Sequence, residues 1–167
     1  MAIFCPDAIF HSITEIPFSF FKEKDILAVI LDVDNTLASH NDPEPAPGVF
    51  DWLQAAKSAG LSVAILSNNS SKRIRPFAEK LQLDYVARAW KPLTFGVTRA
   101  CRKYQLSPNR VALIGDQIFT DIMGGNLKGV CTILVEPFQL EKGWFFQLKR
   151  RLEKPMIRKY YRNIRRK

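Results

Sequence analysis

The sequence predicts an α/β fold, a doubly wound (Rossmann-like) parallel sheet. Three observations predict it. Short apolar runs rich in Val and Ile recur at 27–31 (LAVIL), 61–66 (LSVAIL), 111–115 (VALIG) and 130–135 (VCTILV). Runs of that length and composition are how strands buried on both faces of a parallel sheet read. Segments with helical spacing lie between them, and strand–helix alternation builds a parallel sheet with right-handed crossovers. Polar groups able to do chemistry follow the runs directly, at the strand ends where open α/β sheets bind ligands.

Taken in order, 1–25 is an apolar arm rich in Phe and Ile, interrupted by Pro6 and Pro17. Pro6-Asp7 opens a short helix over 8–13, and the arm is expected to pack on the sheet. The first strand ends in Asp32 and Asp34, which lie two apart and so project to one side. A Pro-rich loop, 38–47, follows. Pro47 suits a helical first turn, Val49, Phe50, Leu53 and Ala56 keep helical spacing, and Gly60 is a plausible stop. The second strand is 61–67. Ser70 or Ser71 caps a helix reaching about residue 81, although Pro76 restricts its start. Residues 84–89 form a weaker third strand, 93–104 a helix, and 107–109 (SPN) a turn. The fourth strand, 111–115, ends at Asp116. A helix over 118–127 and a fifth strand over 130–135 complete a core spanning 26–137.

Size and composition narrow the function. A chain of 167 residues supports one domain with a sizeable core. No apolar run approaches the roughly 20 residues of a spanning helix. The N-terminus lacks a basic segment before its apolar part, so no signal peptide is expected. Three widely spaced cysteines, Cys5, Cys101 and Cys131, fit a reducing compartment better than a disulfide framework or a zinc site. The expected location is cytoplasmic. The net charge of +9 is concentrated in the tail. Residues 142–167 hold eleven Lys/Arg against Glu153 alone, while the rest of the chain is close to neutral. The basic character therefore belongs to a separate adhesive element, 138–167, rather than to a basic active site.

Four polar groups line up at successive strand ends: Asp32-Val33-Asp34-Asn35-Thr36, Ser67-Asn68-Asn69, Lys91-Pro92, and Gly115-Asp116 with Asp121. Each alone has an ordinary explanation as a turn, a cap or a surface charge. All four in this order are a constellation. In DVDNT, SNN, KP and GDQIFTD the sequence resembles the haloacid-dehalogenase superfamily of phosphohydrolases. DVDNTL, LSNN, KP and GDQIFTDIMGGN are similar, more narrowly, to the YqeG-type group, bacterial relatives of mitochondrial phosphatidylglycerophosphate phosphatases.

The resemblance implies a phosphomonoester hydrolase with Mg²⁺ as cofactor, working through an aspartyl-phosphate. Asp32 is then the nucleophile, since an ordinary carboxylate, with a pKa of about 3.9, is already ionised at neutral pH. Asp34 protonates the leaving alkoxide and later deprotonates water. Asp32, Asp116 and the Asp34 carbonyl hold the cation, for which hard oxygen ligands are suited. Lys91 supplies fixed positive charge, Ser67 and Asn68 contact the phosphoryl oxygens, and backbone N–H groups around 33–35 cradle the rest. Asp121 belongs to the outer shell of the metal or orients Lys91, and Thr36 supports the loop. Asn126 receives no role.

Spacing excludes a cap domain. Thirty residues separate Thr36 from Ser67 and 21 separate Asn69 from Lys91, and loop, helix and strand consume both gaps. An uncapped site admits bulky phosphomonoesters. In the tail, Trp144, Phe145, Leu148 and Leu152, then Met156 or Ile157, Tyr160, Tyr161 and Ile164, keep near-helical spacing among basic residues. That pattern is a membrane-surface signature, attracted to anionic lipid. It equally fits a helix docked on the core, and contact with nucleic acid is a third, weaker reading. The substrate expected by resemblance is phosphatidylglycerophosphate at the inner face of the membrane. The alternatives are a soluble nucleotide, sugar phosphate or nucleic-acid end, or a non-catalytic nucleic-acid-binding module.

Overall fold

The computed structural model describes residues 3–39, 42–139 and 143–164. Six parallel strands form one sheet: β1 (Ala8–Phe10), β2 (Ala28–Leu31), β3 (Ser62–Leu66), β4 (Asp84–Val86), β5 (Val111–Gly115) and β6 (Cys131–Val135), in the order β1-β6-β5-β2-β3-β4. The helices are α1 (Phe18–Glu23), α2 (Val49–Ser58), α3 (Ser71–Lys80), α4 (Phe95–Lys103), α5 (Met123–Lys128) and α6 (Trp144–Ile164). The central strands β2 and β5 are buried along their whole length, which is why they read as unbroken apolar runs. One face packs Val29, Leu31 and Ile65 against Trp52, Leu53 and Phe21. The other packs Ala28, Ile30 and Leu113 against Val97 and Ala100. No cap is inserted among the described residues; the chain passes from β2 through a loop and α2 to β3, and from β3 through α3 to β4.

The N-terminal arm corrects one expectation. Residues 8–10 are not helical but form the edge strand β1, in parallel register with Ile133, Leu134 and Val135 of β6. Local sequence favours either state for so short a run, and the free edge of β6 decides it. Asp7 guides the docking: its carboxylate accepts from the Thr132 N–H at 2.8 Å, and its own N–H donates to the Thr132 carbonyl at 2.8 Å. Asn126 donates to the carbonyls of Ile3 (2.8 Å) and Cys5 (3.0 Å), so it anchors this arm. Two smaller differences follow. Ser70 stands at the N-cap of α3 without a side-chain bond, and the expected 118–127 helix opens as a π-helical turn over Ile118–Ile122 before α5.

The tail is one helix through Pro155 rather than two segments. It docks by one face: Met156 and Ile157 pack with Ile118, Ile122 and Leu134, and Glu153 is buried. Trp144, Leu148, Leu152 and Tyr161 remain exposed. The expected placement of the Phe145 and Ile164 side chains lies outside the described residues. No helix among the described residues is long and apolar enough to cross a membrane.

Asp7→Ala leaves the buried Thr132 N–H without its acceptor. Urea unfolding is expected to show a loss of about 1–3 kcal/mol; unchanged stability would mean that this carboxylate does not hold the arm.

Candidate active site

The loop after β2 is shaped before any chemistry is considered. The Val33 carbonyl accepts from the N–H groups of Thr36 (3.2 Å), Leu37 (2.9 Å) and Ala38 (3.2 Å), curling the chain into a tight turn. Asn35 sits at the bend with φ +60°, a left-handed conformation that Asn tolerates better than most residues. The turn leaves Asp32 buried and Asp34 partly exposed. Thr36 is fully buried within it, and its hydroxyl has no hydrogen-bond partner among the described residues.

After β3, Ser67 accepts the Asn69 N–H at 3.1 Å. Asn68 uses both ends of its amide on Lys91, accepting from the Lys91 N–H at 2.7 Å and donating to the Lys91 carbonyl at 3.1 Å. The amide thus clamps the main chain of Lys91. The buried Lys91 ammonium donates to Asp32 Oδ1 and to Asp121 Oδ1, both at 2.6 Å. Asp116, at the end of β5, is 1% exposed.

Asp121 comes this close because Gly115 has no side chain. A Cβ at position 115 would lie 2.3 Å from the Asp121 carboxyl carbon. Oxygens of Asp32, Asp116 and Asp121 therefore converge within 4.8 Å of one another. Of the candidates read from the sequence, Asp32, Lys91, Asp116 and Asp121 meet at this point; Asn68 reaches it through the Lys91 main chain, Ser67 accepts from the Asn69 N–H, and Asp34 pairs with Asn69 and Arg73.

Four participants were not singled out. Asn69 donates to Asp34 Oδ2 at 2.7 Å and Arg73 to Asp34 Oδ1 at 2.5 Å, so both oxygens of Asp34 accept. Arg150 and Glu153 come from α6. The Arg150 guanidinium donates to Asp116 Oδ2, to the Asp116 carbonyl at 2.5 Å and to Glu153 at 3.1 Å. Glu153 in turn accepts the Ile118 N–H at 2.9 Å. Asn69 stood in a quoted motif and was overlooked. Arg150 and Glu153 lie 24 and 27 residues beyond the last motif, although Glu153 is visible as the lone acid of a basic tail.

Burial dominates the electrostatics. It lifts Asp32 from the usual carboxylate range to about 7, with Lys91 pulling down and Asp121 pushing up. Burial likewise raises Asp116 well above the ordinary range, with Arg150 opposing. For Lys91, burial works against the ammonium, but Asp121 and Asp32 outweigh it and leave the pKa raised. Asp32 is thus not the ordinary, fully ionised carboxylate that its sequence suggested. In this fold it depends on added positive charge. The donor set fits a hard divalent cation: three buried carboxylates converge, and Asp116 Oδ1 is buried without a partner among the described residues.

A haloacid dehalogenase-like hydrolase model matches residues 23–127, and the chain belongs to that family. Within it, the chain is a phosphatase. It is 34% identical over 154 residues to the probable phosphatase YqeG of Bacillus subtilis, covering 92% of this chain and 90% of that protein. A more distant relative is the chloroplastic/mitochondrial phosphatidylglycerophosphate phosphatase 1 of Arabidopsis thaliana, 22% identical over 157 residues. That match covers 88% of this chain but only 45% of the plant protein. Among solved structures, NagD of Escherichia coli shares the fold with a TM-score of 0.56 at 15% identity, covering 66% of this chain and 87% of that one.

The Asp32 shift has a consequence for stability. Folded and metal-free, Asp32 keeps its proton to about pH 7, whereas unfolded it releases it near pH 3.9. Between these values the native state binds more protons. The stability contributed is full at low pH and is lost as pH rises through the folded value. In chelator, the Tm of the native protein is expected to fall more steeply than that of Asp32→Asn from roughly pH 5 to pH 8. Identical Tm–pH slopes would contradict the shift.

Proposed function

We propose that this phosphatase hydrolyses phosphomonoesters with Mg²⁺ through a phosphoryl group carried on Asp32, and that phosphatidylglycerophosphate is its substrate. The observation that supports this best is the junction of Lys91, Asp32 and Asp121 beside Asp116 Oδ1, which has no partner among the described residues. One buried point there offers a nucleophile, a fixed cation and an oxygen-rich cation site.

Lys91 occupies Asp32 Oδ1, which leaves Oδ2 to attack phosphorus. The new bond is Asp32 O–P and the broken bond is the ester P–O. The departing alkoxide takes a proton from Asp34. Both Asp34 oxygens accept hydrogen bonds in the free protein, so Asp34 must first gain that proton. An arriving phosphate dianion competes for Arg73 and releases one of those oxygens. In the second half, Asp34 takes a proton from water, the water oxygen bonds to phosphorus, and the Asp32 O–P bond breaks to give orthophosphate. Asp32 and Asp116, with the Asp34 carbonyl, would hold the Mg²⁺, which adds positive charge where the phosphoryl oxygens gather. Lys91 stabilises the same charge from beside the other oxygen of Asp32, Asp121 keeps Lys91 aimed, and Ser67 offers a hydroxyl.

The lipid substrate rests on the plant relative's activity and on the outward face of α6. There Trp144, Leu148, Leu152 and Tyr161 are exposed among Arg151, Lys154, Arg158 and Arg162. Such a face suits an anionic membrane, each basic residue near the surface adding about 1 kcal/mol of attraction.

Arg150 acts as a positioning residue in this scheme. By taking Oδ2 and the carbonyl of Asp116, it leaves Oδ1 for the cation. Arg150→Met is expected to weaken Mg²⁺ binding, measured by titration calorimetry, by about 10–100-fold, with partial recovery in Arg150→Lys. Unchanged or tighter binding would remove Arg150 from that role. Asp32→Asn is expected to abolish phosphate release from phosphatidylglycerophosphate while the circular dichroism spectrum persists. Undiminished turnover would exclude Asp32 as nucleophile, and turnover of soluble esters alone would exclude the lipid.

A further inference from the structure

A groove of about 820 Å³ opens beside the candidate active site. Its lining combines the apolar Trp90, Pro92 and Leu93 with Asn68, Ser70, Arg88 and Lys91. We propose that this groove binds an apolar leaving group, so that the preferred substrates carry a hydrophobic body attached to the phosphate. The proposal rests on the phosphatase reading above and specifies which esters that site takes.

The backbone is built to turn apolar side chains outward here. Arg88 and Trp90 both have left-handed φ values, +48° and +56°. Such conformations are uncommon for non-glycine residues and persist only where surroundings impose them. The surroundings are visible. The Arg88 N–H donates to the Asn69 carbonyl and the Ala89 N–H to the Ser67 carbonyl, each at 2.9 Å. The Asn68 amide holds both main-chain groups of Lys91. Gly96 lets Ala89 press against the start of α4, since a Cβ there would lie 2.6 Å from that of Ala89. Ala89 and Lys91 are thereby directed inward and Trp90 outward, 68% exposed, with Leu93 53% exposed.

Two large apolar side chains in water beside a catalytic lysine gain nothing for the fold. An aromatic wall with one apolar face suits a ligand that is hydrophobic near its polar end. Continuity selects the occupant. Asn68 and Lys91 line the groove and also belong to the candidate site, so these walls lie within reach of a group esterified to a phosphate held there.

The test uses the full-length protein with Mg²⁺ and two soluble esters, octyl phosphate and ethyl phosphate. Both release a primary alkoxide, so they differ in apolar length and not in leaving-group chemistry. The native protein is expected to favour octyl phosphate. Trp90→Ala/Leu93→Ala, altered only at exposed positions, is expected to lower kcat/KM for octyl phosphate about tenfold, mainly through KM, and to leave ethyl phosphate unchanged. No preference for the longer ester in the native protein, or equal effects of the variant on both esters, overturns the proposal. So does a variant with unaltered octyl phosphate kinetics that no longer sediments with phosphatidylglycerol vesicles, because the walls would then face a bilayer. Hydrolysis of neither ester by the native protein removes the phosphatase reading itself; hydrolysis of ethyl phosphate without octyl preference removes only the groove.

Discussion

The ion cluster around Lys91 is the constraint on which the rest of this molecule depends. An ammonium held at 2.6 Å from both Asp32 and Asp121, with Asp116 close by, takes charges out of water at the C-terminal edge of the sheet. Desolvation of such groups costs several kcal/mol each, and pairing rarely returns more than that. The cluster is therefore a poor device for stability and a good one for function. With Arg150 included, two cations face three carboxylates. Burial answers the imbalance by raising Asp32 and Asp116 above the ordinary carboxylate range. A divalent ion would favour their ionised forms, which couples metal binding to proton release.

The local features of the chain read as devices for keeping that cluster together. Gly115 admits the Asp121 carboxylate where any side chain would collide with it. Asn35 takes the left-handed bend that carries the chain from Asp32 past Asp34. Asn68 fixes the main chain of Lys91 through both ends of its amide. The parallel sheet contributes by aligning the ends of β2, β3, β4 and β5 on one edge, so short loops suffice to bring distant segments together. The same edge carries the exposed Trp90 and Leu93, and one flank receives α6 through Arg150 and Glu153.

What could be read in the sequence and what could not divides along physical lines. The central strands were legible because burial on both faces leaves an uninterrupted apolar run. Candidate site residues were legible where the chain places them directly after such a run, as with Asp32 and Asp116. β1 was not, because three residues at an edge take their structure from β6 and from Asp7 rather than from their own pattern. Asn126 had no evident role because its partners are carbonyls more than 120 residues away. The Arg150 contact was hidden because one arginine among many in a basic helix looks like any other; only docking through Met156, Ile157 and Glu153 selects it. The environment of Asp32 was misjudged because burial and two neighbouring charges are tertiary properties.

The central claim is that Asp32 and Asp116 share one cation beside a phosphoryl group accepted by Asp32. It is tested most directly by a crystal structure with Mg²⁺ and beryllium fluoride, a mimic of a phosphoryl group on a carboxylate. The account predicts fluoroberyllate on the Asp32 oxygen not held by Lys91, with Mg²⁺ bound by Asp32 and Asp116. Fluoroberyllate absent from Asp32, or Mg²⁺ bound away from Asp32 and Asp116, would contradict it.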